Sequence, residues 1–255
     1  MKCFASLFLI LSFGAQAAGT LGPDTRISSE VLGYDLQYRV YVPADIVATD
    51  NLSVLYVTDG PGYISEGRMP RVLDRLIGDG EIDPVVVVFV DARDPDRLST
   101  NRRNSQFLCN ADYYKFYVSE LIPEVERNYP VGQSREHRGI LGVSFGGTNA
   151  ACFGLMGHET FSAIGMHSPA NHPIKELLAA YEKMPLLLLR MFLSTGRPDD
   201  NTRANRSFRR VLENKGYELK YIELTAGHDW DNWRRLVDDV LLHFYAPMSD
   251  LSGDM

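Results

Sequence analysis

Short apolar runs alternate along this chain with amphipathic stretches. An extended segment begins near Tyr34 and ends at Val40–Val42. The runs Ser53–Gly60 and Val85–Arg93 follow, the second unbroken and apolar almost to its end, as expected of a strand covered on both faces. Gly139–Gly147, Phe161–Ser168 and Leu188–Gly196 repeat the form, each ending at a turn signal, and Tyr217–Leu224 alternates. Helical periodicity fills the gaps. Tyr113–Tyr129 puts Tyr114, Tyr117, Leu121, Ile122 and Val125 on one face. Thr202–Asn214 turns Phe208, Val211 and Leu212 inward and Arg203, Arg206 and Arg210 outward, and Asp231–Phe244 carries Trp233, Leu236, Val237, Val240 and Leu241. Strands alternating with helices predict βαβ units and a mostly parallel sheet. In such sheets ligands lie beyond the carboxyl ends of the strands, so the residues just after each run are the ones to read for chemistry.

The N-terminus departs from this pattern. Lys2 is followed by an apolar run, Cys3–Phe13, too short to span a bilayer, and then by Ala15-Gln16-Ala17. A short positive region, an apolar stretch and small residues at the −3 and −1 positions predict a signal peptide over 1–17, a mature chain from about Ala18, and a periplasmic or secreted protein without stable membrane insertion after cleavage. Residues 18–255 are expected to form one domain. At 45% hydrophobic and 23% charged residues the composition is globular. A net charge of −7 lacks the basic footprint of a nucleic-acid binder. Export leaves Cys109 and Cys152 either as one disulfide or as two buried thiols. The oligomeric state is not legible.

Gly142-Val143-Ser144-Phe145-Gly146 has the form G-x-S-x-G. It follows an apolar strand and opens a helix of small residues over Thr148–Met156, the context of a nucleophile elbow. Such a turn lifts the serine hydroxyl clear of the backbone and aims a helix N-terminus at the reacting centre. A serine needs a base. Of six histidines, His228 alone follows the last strand on a loop ahead of a helix, in Ala226–Trp230, and so completes the chain order Ser…acid…His. His137 lies at the wrong end of its strand. His158, His167, His172 and His243 fall in turns, near the next strand, or late in the last helix. The acid is expected after a strand between Ser144 and His228, where Asp199 and Asp200 stand together. One would orient the imidazole, while the other, or Asn201, would cap the following helix.

Arg135–Gly147, the Asp59-Gly60 turn, Glu120–Val131 and Gly227–Arg235 together resemble the esterase branch of the α/β-hydrolases. That branch holds enterochelin esterases, feruloyl and acetylxylan esterases, S-formylglutathione hydrolases and mycolyltransferases. The likeness runs from about Ile27 to Tyr245. It implies an α/β-hydrolase fold, with a mostly parallel sheet and helices on both faces, and neither metal nor cofactor. It also implies a Ser144–His228–Asp199 triad: in related feruloyl esterases the acid follows a G-x-x-D turn, here Gly196–Asp199. Some periplasmic members work with a Ser–His dyad. The resemblance further implies an oxyanion hole built from the Phe145 N–H and an N–H after Asp59-Gly60. Pro61 has none, which leaves Gly62, or Gly60, as the second donor, with Gly62 expected.

Only about 20 residues separate Ser168 from Leu188, too few for a large cap domain. The loop after Val85–Arg93 is expected to rim an open cleft with Arg93, Arg102 and Arg103. Acidic neighbours there make loop-bracing ion pairs the simpler role, and a grip on a substrate carboxylate or phosphate the other. The expected activity is hydrolysis of a small-molecule carboxylic ester through an acyl-enzyme on Ser144, with siderophore, feruloyl or similar bulky esters as substrates. Acyl transfer by the same intermediate, and an inactive binding module, are the alternatives.

Overall fold

A computed structural model describes residues 17–247. The apolar run of the expected signal segment lies outside the described residues. Eleven strands are present among them: β1 (Thr20–Leu21), β2 (Thr25–Ser29), β3 (Tyr34–Val42), β4 (Ser53–Val57), β5 (Val85–Asp91), β6 (Arg93–Asp94), β7 (Arg97–Asn101), β8 (Arg138–Val143), β9 (Ala163–His167), β10 (Arg190–Arg197) and β11 (Glu218–Thr225). Nine form one sheet in the order β1-β3-β5-β4-β8-β9-β10-β11, with β2 paired to β3. From β5 to β11 every pairing is parallel, while β1, β2 and β5 each meet β3 antiparallel. The sheet is therefore mostly parallel, with an antiparallel edge.

Both faces are covered, which is why the central strands are apolar throughout. Alternate residues feed two cores. Val54, Tyr56, Val86, Val88 and Val90 join Phe116, Tyr117, Phe153, Tyr181 and Phe208 from the helices of one face. Leu55, Val57, Val85, Val87 and Phe89 join Tyr63, Leu73, Leu76, Val237 and Val240 from the other. The two-residue period of the strands thus divides one apolar run between two layers of helices.

Three elements differ from the periodicity. The helical stretch over Ala111–Asn128 contains a π-helical turn at Tyr117–Leu121, just before Pro123. A proline cannot donate to the preceding turn, and a wider turn accommodates it. The buried face accordingly includes Tyr113 and Phe116, and Tyr114 is only half-buried. The last helical stretch is divided into Trp230–Trp233, a 3₁₀ turn at Arg234–Leu236, and Val237–Tyr245. The basic loop after β5 is a two-stranded hairpin, β6–β7. Between β9 and β10 stands one short helix, Leu177–Lys183, held by the Tyr181 hydroxyl donating to the Ala151 carbonyl at 2.7 Å. It packs against the Phe145–Met156 and Thr202–Lys215 helices.

Cys109 and Cys152 form a disulfide, with Cα atoms 5.1 Å apart across a separation of 43 residues. It ties the segment after the hairpin to the helix that begins beside Ser144. A loop of this length is expected to stabilise the fold by about 2–4 kcal/mol. Reduction, or Cys109→Ser with Cys152→Ser, should lower the urea-unfolding free energy by that amount. An unchanged midpoint would show that the link contributes nothing.

Candidate active site

β8 ends at Val143, and the Phe145–Met156 helix starts two residues later. Ser144 makes the turn alone, at φ 56° and ψ −121°. This conformation costs of order 1–3 kcal/mol and persists only where the surroundings enforce it. They do so by contact. A Cβ on Gly142 would lie 2.3 Å from the Gly146 carbonyl carbon and from Thr58 Oγ1, and one on Gly146 would meet Thr58 Oγ1 at 2.7 Å. The Ser144 N–H donates to the His167 carbonyl on β9 at 2.9 Å.

β11 leads into the loop that carries His228. Asp229 caps the next short helix by accepting from the Asn232 N–H at 3.2 Å, and the His228 N–H donates to the Asp199 carbonyl at 3.1 Å. Trp233 stands edge-on to the imidazole, with ring centres 5.1 Å apart. His228 Nε2 lies 2.8 Å from Ser144 Oγ, and Nδ1 lies 2.6 Å from Asp200 Oδ1. A carboxylate can only accept, so Nδ1 carries the proton and Nε2 is left to accept from the serine hydroxyl.

The acid against His228 is therefore Asp200, not Asp199. The chain turns through the left-handed region at Asp199 (φ 62°), which leaves that side chain exposed and swings the next one beneath the imidazole. No solvent reaches the Asp200 side chain. Its Oδ2 accepts from Ser168 Oγ at 2.6 Å, from the Gly196 N–H and from Asn232 Nδ2 at 3.3 Å, while Oδ1 also takes the Asn201 N–H at 2.6 Å. Burial pushes this carboxyl up, but the hydrogen bonds from His228, Ser168 and the two amides outweigh it and hold it below its ordinary value. Asn201 occupies the N-cap position without a capping side-chain bond.

Gly62, the expected second oxyanion donor, has its N–H engaged in the backbone. Residues Gly60–Ser65 form a helical turn in which the Gly62 N–H donates to the Asp59 carbonyl at 2.9 Å. Gly60, at the first helical position, lies outside the intrahelical ladder. Phe145 opens the helix after Ser144 and is likewise outside its ladder.

A cleft of about 460 Å³ opens over these groups. Ser144, His228, Trp230 and Trp233 line one part; Asp59, Asp91, Arg93, Asn101 and Arg103 line the other. Arg93 and Arg103 reach the cleft, whereas Arg102 is not among its lining residues and pairs with Asp94 at 2.6 Å. Sequence reading missed Thr58, Ser168, Asn101, Asn232 and the hairpin. Ser168 directly follows β9, where the carboxyl-end rule would have found it; Asn232 has no signal of its own.

A profile of the family described as "Putative esterase" matches residues 29–244. The chain belongs to that esterase family. With the fold, membership makes it a carboxylic ester hydrolase of α/β-hydrolase type. Among curated relatives, the uncharacterized protein YjcH of Bacillus subtilis (strain 168) is 25% identical over 230 residues, 86% of this chain and 95% of that one. The Iron(III) enterobactin esterase of Escherichia coli O6:H1 is 25% identical over 244 residues, 91% of this chain but 59% of its own length. Two solved structures share the fold. The enterobactin esterase from Shigella flexneri, crystallised in the presence of enterobactin, has a TM-score of 0.79 at 24% identity, over 90% of this chain and 60% of that one. A ferulic acid esterase has a TM-score of 0.78 at 21% identity, over 90% and 99%. This esterase chain therefore spans about three-fifths of the enterobactin esterases and nearly all of the ferulic acid esterase.

One group behind the site makes its stability pH-dependent. His167 is fully buried, with Nδ1 3.0 Å from the Tyr63 hydroxyl, and burial pushes its pKa down to about 3. An unfolded histidine takes its proton near 6.5. Between those values the unfolded state binds the proton and the folded state does not, so stability falls as pH drops below about 6.5, by up to about 1.4 kcal/mol per pH unit. Urea titrations of the wild type and His167→Gln from about pH 7 to about pH 4 should show a shallower decline in the variant. Parallel curves would disprove the assignment.

Proposed function

We propose that this chain is an exported serine esterase that cleaves its ester through an acyl-enzyme on Ser144, with His228 as general base and acid and Asp200 as its orienting carboxylate. The observation that carries the reading is the continuous relay from Ser144 Oγ through both ring nitrogens of His228 to Asp200, at the carboxyl end of β8. Oγ attacks the carbonyl carbon as its proton moves to Nε2. The tetrahedral oxyanion collapses, the C–O bond to the alcohol breaks, and Nε2 returns the proton to the departing oxygen. Water then repeats the sequence on the acyl-serine, releasing the acid and restoring the hydroxyl. Asp200 stays ionised and stabilises the imidazolium. The Phe145 N–H, at the start of a twelve-residue helix, is one donor to the oxyanion, and we assign Gly60 as the second.

Export is supported by the N-terminal pattern and agrees with the Cys109–Cys152 disulfide, a bond of oxidising compartments. The names of relatives, enterobactin and ferulic acid esterases, make enterobactin-type siderophore esters and feruloyl esters the first substrates to test.

Ser144→Ala and His228→Ala should each lower kcat by about 10⁴–10⁶. Asp200→Asn, which keeps the shape but not the charge, should cost about 10³–10⁴. Asp199→Asn should stay within about twofold, as an exposed side chain. A larger loss at Asp199 than at Asp200 would overturn the choice of acid, and full activity in both would indicate a dyad. In a crystal of a phosphonate adduct of Ser144, the Phe145 and Gly60 nitrogens should lie within about 3.5 Å of the phosphoryl oxygen; Gly60 beyond that distance loses its role. N-terminal sequencing of exported protein should begin near Ala18, and an intact Met1 would refute export.

A further inference from the structure

The polar groups left over in the cleft are almost all donors. Asp91 is buried beneath Arg93 and takes Nε and Nη2 of that arginine, and its Oδ2 also accepts from Gln37 Nε2 at 2.9 Å. Asp59 is likewise beneath Arg103 and takes its Nε at 2.5 Å and Nη2 at 2.8 Å. The carboxylates are the less accessible partners in both pairs: the side chains are 34% and 7% exposed for Arg93 and Asp91, and 26% and 13% for Arg103 and Asp59. Asn101 has its Oδ1 engaged by the Arg103 N–H at 2.9 Å. Among the described residues, no protein acceptor takes Nη1 of either arginine or the Asn101 amide nitrogen.

The ion pairs therefore brace the loops without using up the arginines. Each pair is neutral as a whole but polarised: both carboxylates also line the cleft, yet in each pair the guanidinium is the more exposed partner. The pairs also hold the guanidiniums still, so less side-chain freedom is lost when a ligand arrives. Arg103 is fixed a third time, with Nη2 directed at 3.4 Å to the carbonyl of Val143, the residue before the nucleophile. A substrate hydroxyl or amide would find two cationic edges and one amide donor, and would leave most of them unmatched. A carboxylate, with two acceptor oxygens, matches them.

Resting on the ester-hydrolase reading, we propose that the cleft takes esters bearing a free carboxylate, which binds the Nη1 edges of Arg93 and Arg103 with help from Asn101. The subsite lies in the same cleft as Ser144, so the carboxylate sits on the acyl or the alcohol portion of the ester rather than on a distant part of a larger molecule.

Two matched pairs of esters test this. Monophenyl adipate against phenyl hexanoate puts the charge on the acyl side, and 4-acetoxybenzoate against phenyl acetate puts it on the alcohol side. In one of the pairs, kcat/KM should favour the anionic member by about tenfold or more, mainly through KM, and the preference should shrink as salt is added. Arg93→Gln should collapse that anionic-to-neutral ratio, and Arg93→Lys should restore part of it. A general loss of folding or of the Ser144 machinery would lower both members together and leave the ratio intact. The proposal is overturned if neither pair shows a preference, or if the preference survives Arg93→Gln. If folded wild-type protein cleaves none of the four, nor any siderophore or feruloyl ester, it is the acyl-enzyme reading of Ser144 that fails instead.

Discussion

The close approach of three backbones at Ser144 is the constraint on which the rest of the site depends. β8, the helix after it and the turn beyond β4 meet so tightly that no side chain fits at Gly142 or Gly146, and Thr58 fills the space between them. Ser144 is thereby held in a conformation it would not adopt alone. The strain is offset by the two apolar layers that clamp the sheet, and by the hydrogen bond from its own N–H to β9. The hydroxyl stands clear of the turn, at the start of a helix whose N-terminal dipole favours negative charge.

Asp200 is the second fixed point. A carboxylate out of contact with water would be costly alone, and its hydrogen bonds reverse that. The donors come from β10, from the residue after β9, and from the loop and helix after β11. One charge thus ties together the carboxyl ends of three neighbouring strands, and the imidazole it orients inherits their rigidity. Trp233 closes the edge of His228 and stacks edge-on with Trp230, which in turn meets Tyr63. On the opposite side of the cleft, the β6–β7 hairpin and the ion pairs of Arg93 and Arg103 form a polar wall.

Periodicity and spacing carried the architecture. Val85–Asp91 reads as a buried strand because both of its faces are covered, and Ser144 and His228 are legible because a G-x-S-x-G turn and a histidine loop each follow a strand. These are local constraints, written in glycines and apolar runs. Helical periodicity alone could not place the π-helical turn before Pro123, nor could it show that two short strands rise from the basic loop after β5. The roles of Asp199 and Asp200 were beyond the sequence for a different reason. Adjacent aspartates have the same chemistry, and a single left-handed residue, set by how the Arg197–Asn201 turn packs against the His228 loop, decides which one faces inward. Gly62 and Gly60 differ in the same way: the helical turn at Gly60–Ser65 engages one amide and leaves the other outside its ladder. The arginines needed the fold as well, because only the depth of Asp59 and Asp91 beneath them shows which of their donors are spent. The sequence by itself determined where the strands end and which serine and histidine stand there; the tertiary structure decided which neighbouring groups face them, since that depends on backbone turns and burial that residue type does not encode.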